Sequence, residues 1–347
     1  MREVVRVKAP SRLHFSLIDL NGELGRVDGG IGVALEEPHL VIEVSSVAVS
    51  SPQDYGDLVE RVKEKLGLKS AYEVRVIRDL PSHVGLGSKT QLALSIAKGI
   101  STLEHLDIST RDLARIVGRG GTSGIGVAAF ERGGFILDAG HRFRSRCADG
   151  ELSASDVESA SDVKTDFLPS SASNVSPPPV LFQHPLPDDW FFVVVTPFVG
   201  EGAHGAREVE IFRRYCPIRG EDVGEICRIV LMRILPAIVE KDIETFASGL
   251  TMLQHVGFKR IEVEIQHEVV RKLFSFFEKN DAALGYGMSS FGPTTYAVVE
   301  RENMAKELAA DTREFLYELG VRASVKISNT NNRGAEVEVI RHSAASS

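Results

Sequence analysis

Residues 72–103 of this 347-residue chain carry the pattern that constrains the fold most: a strand, a glycine loop and a helix in direct succession. Tyr72, Val74 and Val76 alternate with Glu73 and Arg75, the period of a half-buried strand. After Pro81 comes Ser82-His83-Val84-Gly85-Leu86-Gly87-Ser88-Lys89-Thr90, and then Leu92, Ile96, Ile100 and Leu103 recur on one helical face. The first amides of a helix have no upstream carbonyl and its dipole adds partial positive charge, so the loop Gly85 to Gln91 favours a bound phosphate. Ser88 and Thr90 can add hydroxyl donors or reach a Mg²⁺ ion, and Lys89 adds a full charge. The plain alternative is a capping turn with Ser88 as N-cap. The loop lacks the third glycine of a dinucleotide fingerprint, and no GxxxxGK[ST] occurs in the chain.

Other strands and helices follow the same periodicities. Val5, Val7 and Ala9 alternate with Arg6 and Lys8, Leu40 to Val44 is a short apolar run, and Phe135 to Asp138 reads as a strand. Arg111 to Val117 reads as a short helix. Between about Ser145 and Pro179 Ser, Asp, Ala and Glu dominate, and Pro177-Pro178-Pro179 closes the stretch. This predicts a first domain over 1–144, a mobile insertion or linker over 145–185 without chemistry of its own, and a second α+β domain over 186–347. The latter holds strands at Trp190 to Val195, Thr295 to Val299 and Ser324 to Ile327, amphipathic helices between Arg207 and Lys279, and a helix at Met304 to Leu319.

Composition removes several function classes. Acidic residues outnumber basic ones, 48 against 40, so the net charge of −8 leaves no basic footprint for nucleic acid. No run of about 18 apolar residues is present to span a bilayer, and the N-terminus, which alternates charged and apolar residues, is expected to be a strand of the mature protein. Cys147, Cys216 and Cys227 form no CxxC pair. The expected location is the cytoplasm.

Eight of the 31 glycines fall between Gly118 and Gly140. There Gly124-Ile125-Gly126 with Ala129 mimics a dinucleotide motif, but no strand precedes it; close packing of backbone against a helix or ligand is the better reading. Two further loops stand out. Ala9-Pro10-Ser11-Arg12-Leu13-His14-Phe15, with Asp19-Leu20-Asn21-Gly22 and Gly25-Arg26-Val27-Asp28-Gly29-Gly30, places arginines, a histidine and aspartates around glycine turns after the first strand. An anionic substrate calls for such guanidinium and imidazole donors, although solvated loop charges are the commoner case. Gly285-Tyr286-Gly287-Met288-Ser289-Ser290-Phe291-Gly292-Pro293-Thr294 is a small-residue loop feeding a strand, equally readable as a tight connection.

These three loops, in this order, resemble the three motifs of the galactokinase, homoserine kinase, mevalonate kinase and phosphomevalonate kinase (GHMP) superfamily. Within it Ser11 to Phe15, Leu17 to Gly22, Gly25 to Gly32, Val84 to Ser88, Gly118 to Gly134 and Met288 to Pro293 look like the β-ribofuranosylaminobenzene 5′-phosphate synthase family, nearly end to end. The resemblance implies a two-domain α+β fold, with a ribosomal-protein-like N-terminal domain and a ferredoxin-like C-terminal one. It also implies condensation of phosphoribosyl diphosphate with 4-aminobenzoate or 4-hydroxybenzoate, releasing CO₂ and diphosphate in methanopterin biosynthesis. Mg²⁺ is the expected cofactor, with no organic cofactor, and a homodimer the expected assembly. The chain departs from the kinase pattern at Lys89, where kinases carry a second serine, and at Gly126, where many carry a catalytic aspartate.

On this reading the expected catalytic residues are Asp19, Arg26, Asp28 and Lys89. Arg12, His14, Gly85, Leu86, Gly87, Ser88, Thr90, Gln91, Ser123, Ser289 and Ser290 would bind substrate, and Ser88 and Thr90 would ligate Mg²⁺. Asp19 or Asp28 would face the ribosyl cation, and Arg12, Arg26 or His14 would orient the carboxylate. An ATP-dependent small-molecule kinase is the alternative, and a catalytically inactive ligand-binding protein a further one.

Overall fold

The computed structural model describes residues 2–48, 54–144, 163–169, 175–200 and 202–342. It opens on a long hairpin, β1 (Arg2–Asp19) and β2 (Arg26–Val47), in register from Val4 opposite Ser45 to Asp19 opposite Asp28. The sequence suggested that β1 stops near Ala9 and gives way to a loop. The strand instead continues, because the alternation resumes after a bulge at Pro10/Ser11, a place where proline is tolerated within a sheet. The extra residues lie on β2, where Pro10 faces His39 but Ser11 faces Leu35, and across this break β1 exchanges its two faces. Val5, Val7 and Ala9 therefore pack with the helical layer, whereas Leu13 and Phe15 enter the core shared with the second sheet. Arg12 and His14 are left on the helical side, among charged groups of the cleft described below.

β3 (Ala71–Arg78) and β4 (Phe135–Asp138) both pair with β2, and β7 (Val180–His184) pairs with β4. A small extension adds β5 (His141–Phe143) on β2 and β6 (Val163–Lys164) beside it. α1 (Gly56–Leu66), α2 (Ser88–Leu103), α3 (Thr110–Ile116) and α4 (Ile125–Arg132) cover one face, burying Val59, Val62, Leu94, Ile96, Ala97, Ile100, Leu113 and Phe130 against the sheet. Ser109 caps α3, its Oγ accepting the Asp112 amide at 3.1 Å.

The second sheet has β8 (Trp190–Pro197), β9 (Gly285–Met288), β10 (Thr295–Glu300) and β11 (Ala323–Asn329) in the antiparallel order β11-β8-β10-β9, the order of a ferredoxin-like domain. Between β8 and β9 run α5 (Gly205–Tyr215), α6 (Gly220–Ile229), a π-helical turn (Val230–Ile234), α7 (Leu235–Glu240), α8 (Ile243–Leu253), α9 (Gly257–Glu264) and α10 (Glu268–Glu278). α11 (Glu302–Glu318) precedes β11, and β12 (Glu336–His342) crosses back to pair with β1 at the edge of the first sheet.

The sheets thus do not follow the sequence boundaries at 144 and 186. β7, within the expected linker, and β12, within the expected second domain, both complete the first sheet. A single core containing Phe15, Phe135, Trp190, Phe192, Phe246 and Tyr296 joins the two halves. The described parts of the linker are also built in. Lys164 is buried on Asp28, and His141 bonds the Ser176 carbonyl at 3.0 Å. Residues 145–162 and 170–174, where Cys147 falls, lie outside the described residues. Among those described, no helix is long and apolar enough to cross a membrane.

Candidate functional site

The three sequence motifs meet around one cleft of about 250 Å³. Their backbones are stitched together: the Arg12 amide donates to Leu86 O (3.1 Å), the Ser290 amide to His14 O (2.9 Å) and the Thr294 amide to Val84 O (3.2 Å). Ser289 is the central tie. Its Oγ accepts the His14 amide at 2.9 Å and donates to Gly85 O at 2.6 Å, and Arg12 Nη1 donates to the same carbonyl at 2.5 Å. Lys259 on α9, buried and paired with Glu262, holds the third loop through Ser290 O at 3.0 Å.

At the start of α2 the N-cap is Gly87, in the left-handed region, with no side-chain cap. Ser88 is therefore not the cap that a plain turn would need; it is the first helical residue and lines the cleft with Lys89 and Thr90. Gly85, at φ +91°, has its missing Cβ aimed at Ser289 O, so glycine is what allows the loops to touch.

Of the expected site residues, Arg12, His14, Gly85, Leu86, Gly87, Ser88, Lys89, Thr90, Ser123 and Ser290 line the cleft. Five are placed elsewhere. Asp19 Oδ1 closes the hairpin turn by accepting the amides of Asn21 and Gly22 at 2.8 and 3.0 Å. Arg26 donates to Ala139 O and Gly140 O at 3.0 and 2.8 Å. Asp28 is buried between His141 Nδ1 (2.6 Å) and Lys164 Nζ (2.9 Å). Gln91 Nε2 donates to Gly126 O at 2.8 Å, tying α2 to α4, and Ser289 lies behind the loops it joins. Gly126 itself faces Thr90, whose Cγ2 is 3.1 Å from the position a Cβ would take, so that glycine serves close helix packing.

Sequence reasoning passed over Arg119, Thr122, His83, His204, Glu208 and Glu262, all of which line the cleft. His83 and His204 have ring centroids 3.8 Å apart. Burial, reinforced by the Glu262 charge and opposed by Lys89, pushes the Glu208 carboxyl up to about 7. Burial also takes the Arg12 guanidinium down to about 10, with Glu262 opposing, so it stays cationic at neutral pH. His14 falls well below the usual histidine value through burial and then the charges of Arg12 and Lys259, which makes it a neutral imidazole. Behind it Asp138 accepts the amides of Gly124 (2.8 Å) and Gly140 (2.9 Å), and burial raises it to about 6. Gly30 leaves room there: a Cβ would stand 3.0–3.2 Å from Ser123 Oγ, Asp138 Oδ2 and His14 Nε2.

The GHMP kinases N terminal domain matches residues 55–134 and the GHMP kinases C terminal domain residues 234–318. The fold is shared with a homoserine kinase from Cytophaga hutchinsonii, at TM-score 0.67 and 15% identity over 96% of this chain and 97% of that one. Much closer in sequence is the β-ribofuranosylphenol 5′-phosphate synthase of Archaeoglobus fulgidus, 39% identical over 97% of this chain and all of that protein. The protein of the same name from Methanothermobacter thermautotrophicus is 39% identical over 95% of this chain and 97% of its own. By this near-complete likeness, the chain belongs to the β-ribofuranosylphenol 5′-phosphate synthase family of the GHMP kinase superfamily.

Proposed function

We propose that the chain condenses phosphoribosyl diphosphate with a 4-substituted benzoate, releasing CO₂ and diphosphate and leaving an aryl C-riboside 5′-phosphate, as in methanopterin biosynthesis. The observation that carries this reading is the 39% identity over almost the whole chain to synthases whose name specifies a ribosylated phenol. That name favours 4-hydroxybenzoate over 4-aminobenzoate as acceptor.

The cleft's chemistry agrees. Breaking the bond from anomeric carbon to diphosphate sends the electron pair to the leaving group, so anion stabilisation is the first requirement. The α2 amides and Lys89 meet it. Ser88 and Thr90 hydroxyls and the Glu208 carboxylate line the same cleft, oxygen donors that would suit a Mg²⁺ ion whose shell is completed by substrate phosphate, and among the described residues no His/Cys/Asp/Glu cluster would hold a metal unaided. When bound, the ion would neutralise charge on the departing diphosphate. The ring carbon bearing the carboxylate bonds to the anomeric carbon, and loss of CO₂ returns its bonding pair to the ring. No protein base has to act, in keeping with Gly126 where a kinase would place aspartate. Arg12 is the arginine of the Arg12/Arg26 pair that lines the cleft, which favours it as the carboxylate's partner.

The test supplies Mg²⁺, phosphoribosyl diphosphate and carboxyl-labelled 4-hydroxybenzoate or 4-aminobenzoate, and measures CO₂ and diphosphate. Stoichiometric release of both supports the proposal; ATP turnover with an alcohol acceptor and no CO₂ would replace it with a kinase. Lys89→Ala should raise KM for phosphoribosyl diphosphate about 10- to 100-fold, the loss of one charge-assisted contact of about 1.5–3 kcal/mol. Unchanged kinetics would remove Lys89 from the site. A carboxyl raised to about 7 is ionised only above that pH, so kcat/KM for phosphoribosyl diphosphate should climb through pH 7 if ionised Glu208 is needed. Glu208→Gln should lower kcat/KM and flatten that limb, and a profile that keeps its shape would discard this role.

A further inference from the structure

Arg119 is the cleft residue with the least explained chemistry. It sits in the turn after α3, with its amide on Ala114 O at 2.8 Å, between Gly118 and Gly120 in left-handed conformations. Gly120 abuts Pro177, so the turn is pinned from both sides. The guanidinium lines the cleft, yet its Nε is buried with no hydrogen-bond partner. Its charged neighbour is a second cation: Arg61 Nη1 from α1 lies 3.7 Å from where a Cβ on Gly118 would stand. Among the described residues neither guanidinium has an acidic side chain in salt-bridge range. Burial, joined by the charge of Arg61, holds Arg119 below the usual arginine value.

A partly buried guanidinium whose buried Nε makes no hydrogen bond, with a like charge beside it, is a setting that an anion would complete. Guanidinium presents a planar fork that matches phosphate oxygens. The α2 loop already supplies one anion subsite, while a phosphoribosyl diphosphate carries phosphate at both ends of the sugar.

We propose that Arg119 forms a second anion subsite, which takes the phosphate monoester of the sugar phosphate while the α2 loop takes the diphosphate. This rests on the substrate proposed above. Arg119 then sets which end of the sugar faces the acceptor.

Two ligands that each carry one of the groups separate the subsites without turnover. Ribose 5-phosphate has the monoester alone, and inorganic diphosphate has the other group alone. Titration calorimetry should show both binding to the unmodified protein. Arg119→Gln should weaken ribose 5-phosphate at least 10-fold and change diphosphate less than 3-fold, with Arg119→Lys between. Because the Nε makes no bond in the fold, the glutamine variant should melt within a few degrees of the parent. Should it unfold, the lysine variant carries the same comparison. Equal ribose 5-phosphate affinity in the variant, loss of diphosphate binding instead, or no binding of ribose 5-phosphate by the parent protein would each overturn the subsite. The reaction is judged separately: a chain that shows this split yet releases no CO₂ keeps the subsite and loses the proposed function.

Discussion

Replacing Lys164 by methionine is expected to cost the fold about 3–5 kcal/mol, although the residue lies in a stretch that reads as a polar linker. Its ammonium is 2.9 Å from Asp28 Oδ2 and 2.9 Å from Leu168 O, and both charged side chains are almost wholly shielded from water. Removing the cation leaves the Asp28 carboxylate in the interior with His141 as its remaining side-chain partner. The same carbonyl of Leu168 receives the Thr122 hydroxyl at 3.2 Å, so the damage should reach the cleft wall. Denaturant unfolding of Lys164→Met, Asp28→Asn and the double variant would check this. The double variant should lose less than the sum of the singles, the mark of direct coupling. A single-variant loss below about 1 kcal/mol would mean that water reaches Asp28.

Gly85→Ala should strike activity harder than stability. A side chain at φ +91° is strained by about 1–3 kcal/mol, and its Cβ would collide with the Ser289 carbonyl, so the loop must move. That carbonyl belongs to the residue that ties His14 and Gly85 together, and Arg12 bonds the Gly85 carbonyl as well. A shift of about 1 Å in the groups that hold a reacting substrate costs roughly 100-fold in rate. On the proposed reaction, CO₂ release by the alanine variant should therefore fall to about 1% of the parent or less, with a cooperative unfolding transition retained. Activity within about threefold of the parent would show that the α2 loop does not hold the reacting group.

What could be read from sequence follows from how local each signal is. β3, α2, α3, β10 and β11 emerge from their own periodicity, and each stands within a few residues of the expected span. Ala9 to Asp19 misled because Pro10 and the charges at Arg12 and His14 look like a loop, whereas a bulge keeps the strand running and turns those charges onto the helical side. Arg119, Glu208 and Glu262 carry no local mark; α3, α5 and α9 bring them to the α2 loop from separate parts of the chain. Asp28 and Arg26 have suitable chemistry in the right motif, but their partners Lys164, His141, Ala139 and Gly140 are far along the sequence and draw them away from the cleft.

The return of β12 to β1 has a consequence for biosynthesis. As the chain leaves the ribosome, β1 can find β2 at once, since they are hairpin neighbours, but its other flank stays an open row of amides and carbonyls until Glu336–His342 is made. An exposed strand edge is a template for unwanted pairing. Translation of the whole second sheet and its helices passes while that edge is bare, so a nascent chain stalled before residue 336 would offer neighbouring polypeptides the seam that β12 normally closes.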